Sequence, residues 1–555
     1  MTANRNAAIW FAPDGYDPTA KGINGRRVAG ESFLKGFFNH AQVEEFVCLS
    51  YGPSDAEVFA QFATRQGVKK PLRGVRLDTA NAIAPVSTVS FPSPNYAAEC
   101  WRRAPFGATA YSICGITHTT ATKAVMQGMF DLRMAPQMPW DAVICTSRAV
   151  KDSVDVQMEL TDAFIRLRFG GAVIPPRPML PVIPLGVTVA DFAPDVAAGL
   201  ALRAKLGIGP DDIACAIIAR LTPHEKFDPL PLFIAMQAAQ AQMGTRRLHL
   251  VLCGMFRDDY GRKVFDAGAE GLMPDVGYHI LDGADAALRK ATLSGADMFL
   301  FPIDNVQETF GLAPIEAMAA GLPVIVSDWD GLKDTVTPEV GFRIPTETVK
   351  HDHVTYLGQR HLGGTDSYVQ YLSQLSALTS VNVPKLTEAL LALALNPDLR
   401  GRMGAAGRAR AVEVYDWSRI IPVMQDLWAE QTAVRLAATA AEHPAMLAGL
   451  LPVAPSPNLL FRSYPTQQLG GDDRRFFAAP MQGRVGIAET LAMRNYEGTK
   501  RVFESAERII AIAAALESTG QTGATAAEIS KTTRLHVRLV ERVMLWLMKY
   551  DFVRG

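Results

Sequence analysis

Short apolar runs recur along this chain, with helix-like stretches between them, and they constrain its fold more than any other feature. In the first part they occupy residues 7–12 (AAIWFA), 45–50 (EFVCLS), 86–91 (VSTVSF), 111–116 (YSICGI), 141–147 (DAVICTS) and 180–186 (LPVIPLG). In the second part they occupy 213–220 (IACAIIAR), 248–254 (LHLVLCG), 277–281 (GYHIL), 297–302 (DMFLFP) and 322–327 (LPVIVS). A short apolar run bounded by turn residues reads as a strand buried on both faces. Strand, helix, strand in repetition means parallel sheets covered by helices. Two series, separated near residues 187–205, predict two doubly wound, Rossmann-like α/β domains, 1–190 and 191–415. At 555 residues the chain is too long for one ordinary core, so two or three domains are expected. Open α/β sheets bind ligands beyond the carboxyl ends of their strands. Two such domains would face each other across a cleft.

Composition narrows the partners. Lys and Arg number 55 against 56 Asp and Glu, so no global field favours a polyanion, and nucleic acid is not an expected ligand. The six cysteines lie mostly inside apolar runs and form no CxxC pair, which reads as buried thiols in a reducing compartment. The opening MTANRNAAIWFAP has too short an apolar run for a signal peptide and reads as a first strand. No stretch reaches the roughly 18 apolar residues of a membrane span. The expected location is cytoplasmic, compatible with resting on the inner face of a membrane without crossing it.

Residues 345–383 read as an irregular insertion in the second domain. Its histidines, His351, His353 and His361, carry no further ligand pattern, and a polar loop is preferred to a metal site. A closing helix over 416–430, opening near Trp417, is expected to return to the first domain. Residues 431–499 read as a helical segment and linker, and 500–555 as a small helical, winged-helix-like module. Thr525 and Glu528 have capping-box spacing there. Arg534, His536, Arg538 and Arg542 would face DNA in such a module. With no basic bias in the chain, packing on its own chain or homodimerisation through this module is preferred.

The chemistry concentrates in QETFGLAPIEAMAAGLPVIVSDWDG, residues 307–331. A strand ends before it, and Pro314 is expected at the first helical position, with Glu316 in the first turn. A helix start with free amides at Gly311 and Leu312 suits a phosphate. Glu308 and Glu316 lie eight residues apart, one in the loop and one on the helix. Acceptor-only carboxylates are what vicinal sugar hydroxyls need. In IIARLTPHEKFDP, residues 217–229, Arg220 ends a strand and Lys226 follows in the loop. Two cations there can clamp a diphosphate and offset leaving-group charge without a metal.

These strings resemble glycosyltransferase family 4, retaining enzymes of the GT-B fold. The family's motif, Glu, seven residues, Glu, stands here as E308-T-F-G-L-A-P-I-E316-A-M-A-A-G-L-P-V. The resemblance covers about residues 6–430 and implies a role for each residue. Glu308 would bind donor-sugar hydroxyls, Glu316 the ribose hydroxyls, and Arg220, Lys226 and the backbone at Gly311 and Leu312 the diphosphate. In SICGITHTT, His118 would stand near the anomeric carbon. The family's first-loop Gly-Gly pair is absent, and Gly22 and Gly25 stand in its place. Asp334 matches an acidic position of the family. Asp328-Trp329-Asp330 mimics a metal motif of a different transferase fold and is set aside. The implied activity is hexosyl transfer from a nucleotide-diphosphate sugar to a glycan, lipid-linked or small-molecule hydroxyl acceptor, in glycan or polysaccharide synthesis, with no cofactor or metal. A sugar-nucleotide epimerase would need acid and base groups flanking C2. A catalytically quiet sugar-nucleotide sensor or scaffold, whose tail binds a partner or DNA, is the alternative of another class.

Overall fold

The computed structural model describes residues 4–16, 25–171, 173–471, 473–480, 485–494, 502 and 504–555. Met1–Val453 form one compact unit and Ala454–Gly555 a second.

The first unit holds two six-stranded sheets. One contains β1 (Ala8–Trp10), β2 (Phe46–Ser50), β3 (Leu72–Arg76), β4 (Thr88–Phe91), β5 (Ser112–Ile116) and β6 (Ala142–Ile144). The other contains β7 (Ile213–Leu221), β8 (Leu248–Phe256), β9 (Gly277–Asp282), β10 (Met298–Phe301), β11 (Val324–Ser327) and β12 (Gly341–Ile344). Their orders are β3-β2-β1-β4-β5-β6 and β12-β11-β10-β7-β8-β9, with every pairing parallel. Both are the same doubly wound order, and both reverse at one point, between β1 and β4 and between β7 and β10. The strands are apolar because helices cover both faces: β2, β6, β10 and β11 are buried throughout. This is the GT-B class of fold, two Rossmann-like domains joined along a cleft.

Three expectations need correction. Leu72–Arg76 and Gly341–Ile344 are strands that the apolar-run criterion missed, because edge strands are half polar and both carry arginine. Residues 180–186 form only an isolated parallel bridge, Cys145 with Val182. Pro181 and Pro184 lack the amide hydrogens a continuous ladder needs. Residues 345–383 are ordered. β13 (Thr346–Thr348) and β14 (Thr379–Val381) pair antiparallel and enclose helices Thr355–Leu362 and Tyr368–Ser376.

The closing helix begins at Trp417, capped by Asp416, whose carboxylate accepts the Ser418 N–H. The Trp417 indole lies so close to the backbone at Gly36 and Gly186 that a Cβ on either would sit 2.5 Å from a ring carbon. Its Nε1 donates to Ser32 Oγ at 2.8 Å. The helix runs on to Ala437. Gln431 Nε2 donates to the carbonyls of Ile113 and Trp140, and Arg435 Nη1 to that of Thr109 at 2.8 Å. Residues 431–437 therefore pack with the first domain and not with the tail. Gly186→Ala should destabilise the chain by about 1–3 kcal/mol, because the indole has no room to move aside; thermal denaturation checks this.

The six cysteines are buried and free. Among the described residues no helix is long and apolar enough to cross a membrane. In the second unit the strand Arg475–Ala478 pairs antiparallel with Ala524–Thr525 and with Val553–Arg554. It falls inside the stretch expected to be linker, where Phe476 is buried and Phe477 exposed. Among the described residues the unit also holds helices Pro457–Leu460, Ile487–Arg494, Ala506–Glu517, Ala526–Thr533 and Val537–Lys549. Thr525 and Glu528 do form a capping box. Arg534, His536, Arg538 and Arg542 are exposed, and Arg542 pairs with Glu504.

Candidate functional site

The second sheet reverses its winding between β7 and β10, and the loops after these two strands diverge there to leave a crevice. Arg220, the penultimate residue of β7, stands at this point. Its Nη1 lies 3.2 Å from Glu225 Oε2, and its Nη2 donates to Gln307 Oε1 at 2.6 Å. Arg257 pairs with the other oxygen of Glu225. Lys226, in the loop after β7, pairs with Glu308, in the loop after β10. The Lys226 ammonium lies 4.7 Å from the centre of the Phe301 ring. Burial pushes the Glu308 carboxyl up, but the Lys226 charge and hydrogen bond, with the amides of Gly311 and Phe310, outweigh it. The net result holds Glu308 below the usual carboxylate range. Both side chains of this pair are mostly shielded from water.

The backbone corrects the expected helix mouth. Gly311 is the N-cap, in the left-handed region at φ 81°, and the helix runs Leu312–Ala319. It starts two residues before Pro314, so Glu316 falls in the second turn. The Gly311 amide is not free, because it donates to Glu308 Oε1 at 3.0 Å. Leu312 opens the helix beyond it, and the first-turn amides point away from the helix interior. A side chain at 311 would strain the backbone, and its Cβ would lie 2.6 Å from Leu332.

Among the described residues the Glu316 carboxylate accepts no hydrogen bond. Burial pushes its pKa up to about 7, against the opposing charge of Arg289. It can accept hydroxyl hydrogens fully only when ionised. Affinity for a nucleotide sugar, whose diphosphate loses no proton in this range, should rise about tenfold from pH 6 to pH 8. Glu316→Gln should flatten that rise, as titration calorimetry at several pH values would show.

The first domain forms the opposite wall. Thr309 Oγ1 donates to the carbonyl of His118 at 2.6 Å, so the loop after β5 touches the loop that carries Glu308. Ser147 Oγ, at the N-cap of the helix Arg148–Phe169 that follows β6, lies 3.4 Å from Asp330 Oδ1. The Arg148 amide and Nε donate to Asp334 at 2.7 and 2.8 Å. Asp330 has φ 42°, unusual for a residue with a Cβ. Its buried carboxyl is pushed up to about 7 by burial and by the nearby Glu308 charge, against a Gly331 amide hydrogen bond.

Arg220, Lys226, Glu308 and Gly311 are therefore gathered at one switch point, with Glu316 on the adjoining helix and His118 on the facing loop. Gly25 is the first residue of the helix Gly25–His40, while Gly22 lies outside the described residues. His361 is buried and stacks on Tyr371 at 4.4 Å, whereas His351 and His353 sit exposed on a short turn. Among the described residues no group of three or more His, Cys, Asp or Glu is placed to hold a metal. Sequence reasoning missed Glu225, Gln307, Thr309 and Asp330. Only Asp330 left a signal, in the DWD string that was set aside. Two cations beside a helix start, with carboxylates at two depths, can hold a polar ligand that carries phosphate at one end and hydroxyls at the other.

Several known proteins are similar to this chain. A family described as Glycosyl transferases group 1 matches residues 201–353, a stretch that contains Arg220, Lys226, Glu308 and Glu316. A Corynebacterium glutamicum protein named GDP-mannose-dependent monoacylated alpha-(1-6)-phosphatidylinositol monomannoside mannosyltransferase is 27% identical over 278 residues, 49% of this chain and 61% of its own length. The phosphatidyl-myo-inositol mannosyltransferase of Mycobacterium leprae is 33% identical over 152 residues, 27% of this chain and 30% of its own. The chain thus spans less than two thirds of these relatives. Among solved structures, sucrose-phosphate synthase from Thermosynechococcus elongatus is similar with a TM-score of 0.46 and 17% identity, covering 77% of this chain and 100% of that one.

Proposed function

We propose that the chain is a retaining glycosyltransferase of the family-4 type, moving a hexose from a nucleotide-diphosphate sugar to a hydroxyl acceptor. The observation that carries this reading is the shielded Lys226–Glu308 pair beside Arg220 at the β7/β10 switch point. Before the donor enters, the two cations are held by carboxylates and an amide. A diphosphate offers them more charge and displaces the carboxylates, while the Gln307 amide keeps its contact with Arg220. Glu308, relieved of part of its hold on Lys226, turns to the sugar hydroxyls, and Glu316 receives the ribose.

In the reaction the bond from the anomeric carbon to the diphosphate oxygen breaks, and a bond to the acceptor oxygen forms on the same face. The acceptor proton passes to the departing phosphate oxygen. Arg220 and Lys226 stabilise the charge that grows on the diphosphate. The His118 loop, fastened to Thr309, closes the anomeric centre from water. Because the matched relatives are named for GDP-mannose and for phosphatidylinositol acceptors, GDP-mannose with an inositol lipid is the first combination to test.

Thermal denaturation of the full chain with GDP-mannose, UDP-glucose, ADP-glucose and dTDP-glucose tests the donor. One of them, at about 100 times its dissociation constant, should add about 2.7 kcal/mol to stability, and Glu316→Ala should remove the effect. A chain whose melting none of the four shifts would contradict the reading.

A further inference from the structure

Residues 346–381 leave the second sheet beyond β12 and return beside their starting point, because Thr346 pairs with Val381 and Thr348 with Thr379. The two helices of this excursion are braced at their turn. Arg360 donates to both oxygens of Asp366 at 2.9 and 2.6 Å, and Gln374 Nε2 to one of them at 3.3 Å. Ser367 and Gln370 form a capping box at the start of the second helix.

This helix reaches both loops of the switch point. The Tyr368 hydroxyl accepts a hydrogen from Gln307 Nε2 at 3.2 Å, and Gln307 Oε1 in turn accepts from Arg220 at 2.6 Å. Ser373 Oγ lies 3.0 Å from Nδ1 of His224, in the loop of Lys226. Across the cleft, Lys123 Nζ donates to the carbonyl of Leu362 at 2.9 Å, so the excursion is also held by the first domain.

We propose that Tyr368 is a positioning residue for the donor site: through Gln307 it fixes the Arg220 guanidinium in the orientation that receives a diphosphate. The reason lies in the Gln307 amide. One end accepts hydrogen bonds and the other donates them. A guanidinium only donates, so Gln307 must present its oxygen to Arg220. Tyr368 adds the second anchor: its hydroxyl accepts from the nitrogen end, so the amide is held at both ends and its oxygen stays fixed against Arg220. An Arg held in one orientation keeps its fork aligned for bidentate contact with phosphate oxygens. This inference rests on the nucleotide-sugar reading.

Titration calorimetry on the full chain tests it, with GDP, UDP, ADP and dTDP as diphosphate probes and the corresponding nucleosides as controls. Tyr368→Phe should weaken the diphosphate that wild type binds by roughly three- to tenfold. It should leave nucleoside binding and the melting temperature unchanged. Gln307→Ala should weaken it as well, and adding Tyr368→Phe to Gln307→Ala should cost nothing further, because both act through one amide. Wild-type affinity in Tyr368→Phe, or the same loss in the Gln307→Ala background, overturns the inference. If Lys226→Ala loses diphosphate binding while Tyr368→Phe keeps it, only the inference falls. If wild type binds none of the four diphosphates, the inference and the nucleotide-sugar reading fall together.

Discussion

Lys226→Ala should lower kcat/KM for sugar transfer by about 10²–10³-fold while leaving the fold intact. Two effects combine. The ammonium is one of two cations at the switch point, so its loss removes charge stabilisation from the departing diphosphate. It is also the partner of Glu308, which is only 15% exposed. Without Lys226 the burial that pushes Glu308 up is no longer outweighed. The carboxyl then takes a proton more readily and accepts sugar hydroxyls less well. Lys226→Arg should recover part of the rate, since charge returns in a different shape. Steady-state kinetics with circular dichroism as the fold control checks both variants. Wild-type turnover in Lys226→Ala would remove this residue from the site.

The largest expected loss of stability lies in the first domain. Arg103 and Asp141 form an ion pair with side chains 1% and 0% exposed. Arg103 reaches both oxygens of Asp141, at 2.6 and 2.7 Å, and also the carbonyls of Tyr111 and Pro136. Asp141 accepts the amides of Ile113 and Met138 besides. The pair therefore ties the end of helix Ala97–Arg103 to the start of β5 and the approach to β6. Arg103→Ala strands a buried carboxylate and should cost about 3–5 kcal/mol. Replacing both residues by apolar ones of similar size should cost less than removing the arginine alone. Denaturation followed by tryptophan fluorescence reads both. A loss under about 1 kcal/mol in Arg103→Ala would mean that water reaches the pair.

Much of the fold is legible in the chain because buried parallel strands advertise themselves. IACAIIAR and LHLVLCG are apolar on both faces and become β7 and β8. Leu72–Arg76 and Gly341–Ile344 escape because an edge strand buries only part of its surface. Arg475–Ala478 escapes because only one of its two phenylalanines is buried. For the site, spacing placed Arg220, Lys226, Glu308 and Glu316 at strand ends and on one helix. Spacing did not reveal that Glu308 already holds the Gly311 amide, since that depends on how a side chain turns back on its own loop. Nor did it pair Gln307 with Tyr368, 61 residues apart, or Thr309 with His118, 191 apart. Such contacts arise only when the sheet and the cleft bring distant loops together.

The most direct test is turnover by the wild-type chain supplied with GDP-mannose, UDP-glucose, ADP-glucose or dTDP-glucose and a phosphatidylinositol acceptor. Released nucleoside diphosphate and glycosylated product are measured together, and the anomeric proton of the product is read by NMR. With the donor held at the switch point, one donor should give equal amounts of diphosphate and product, with an α linkage from the α-linked sugar and nothing from Lys226→Ala. A β-linked product would contradict retention, and turnover that persists undiminished in Lys226→Ala would contradict the site itself.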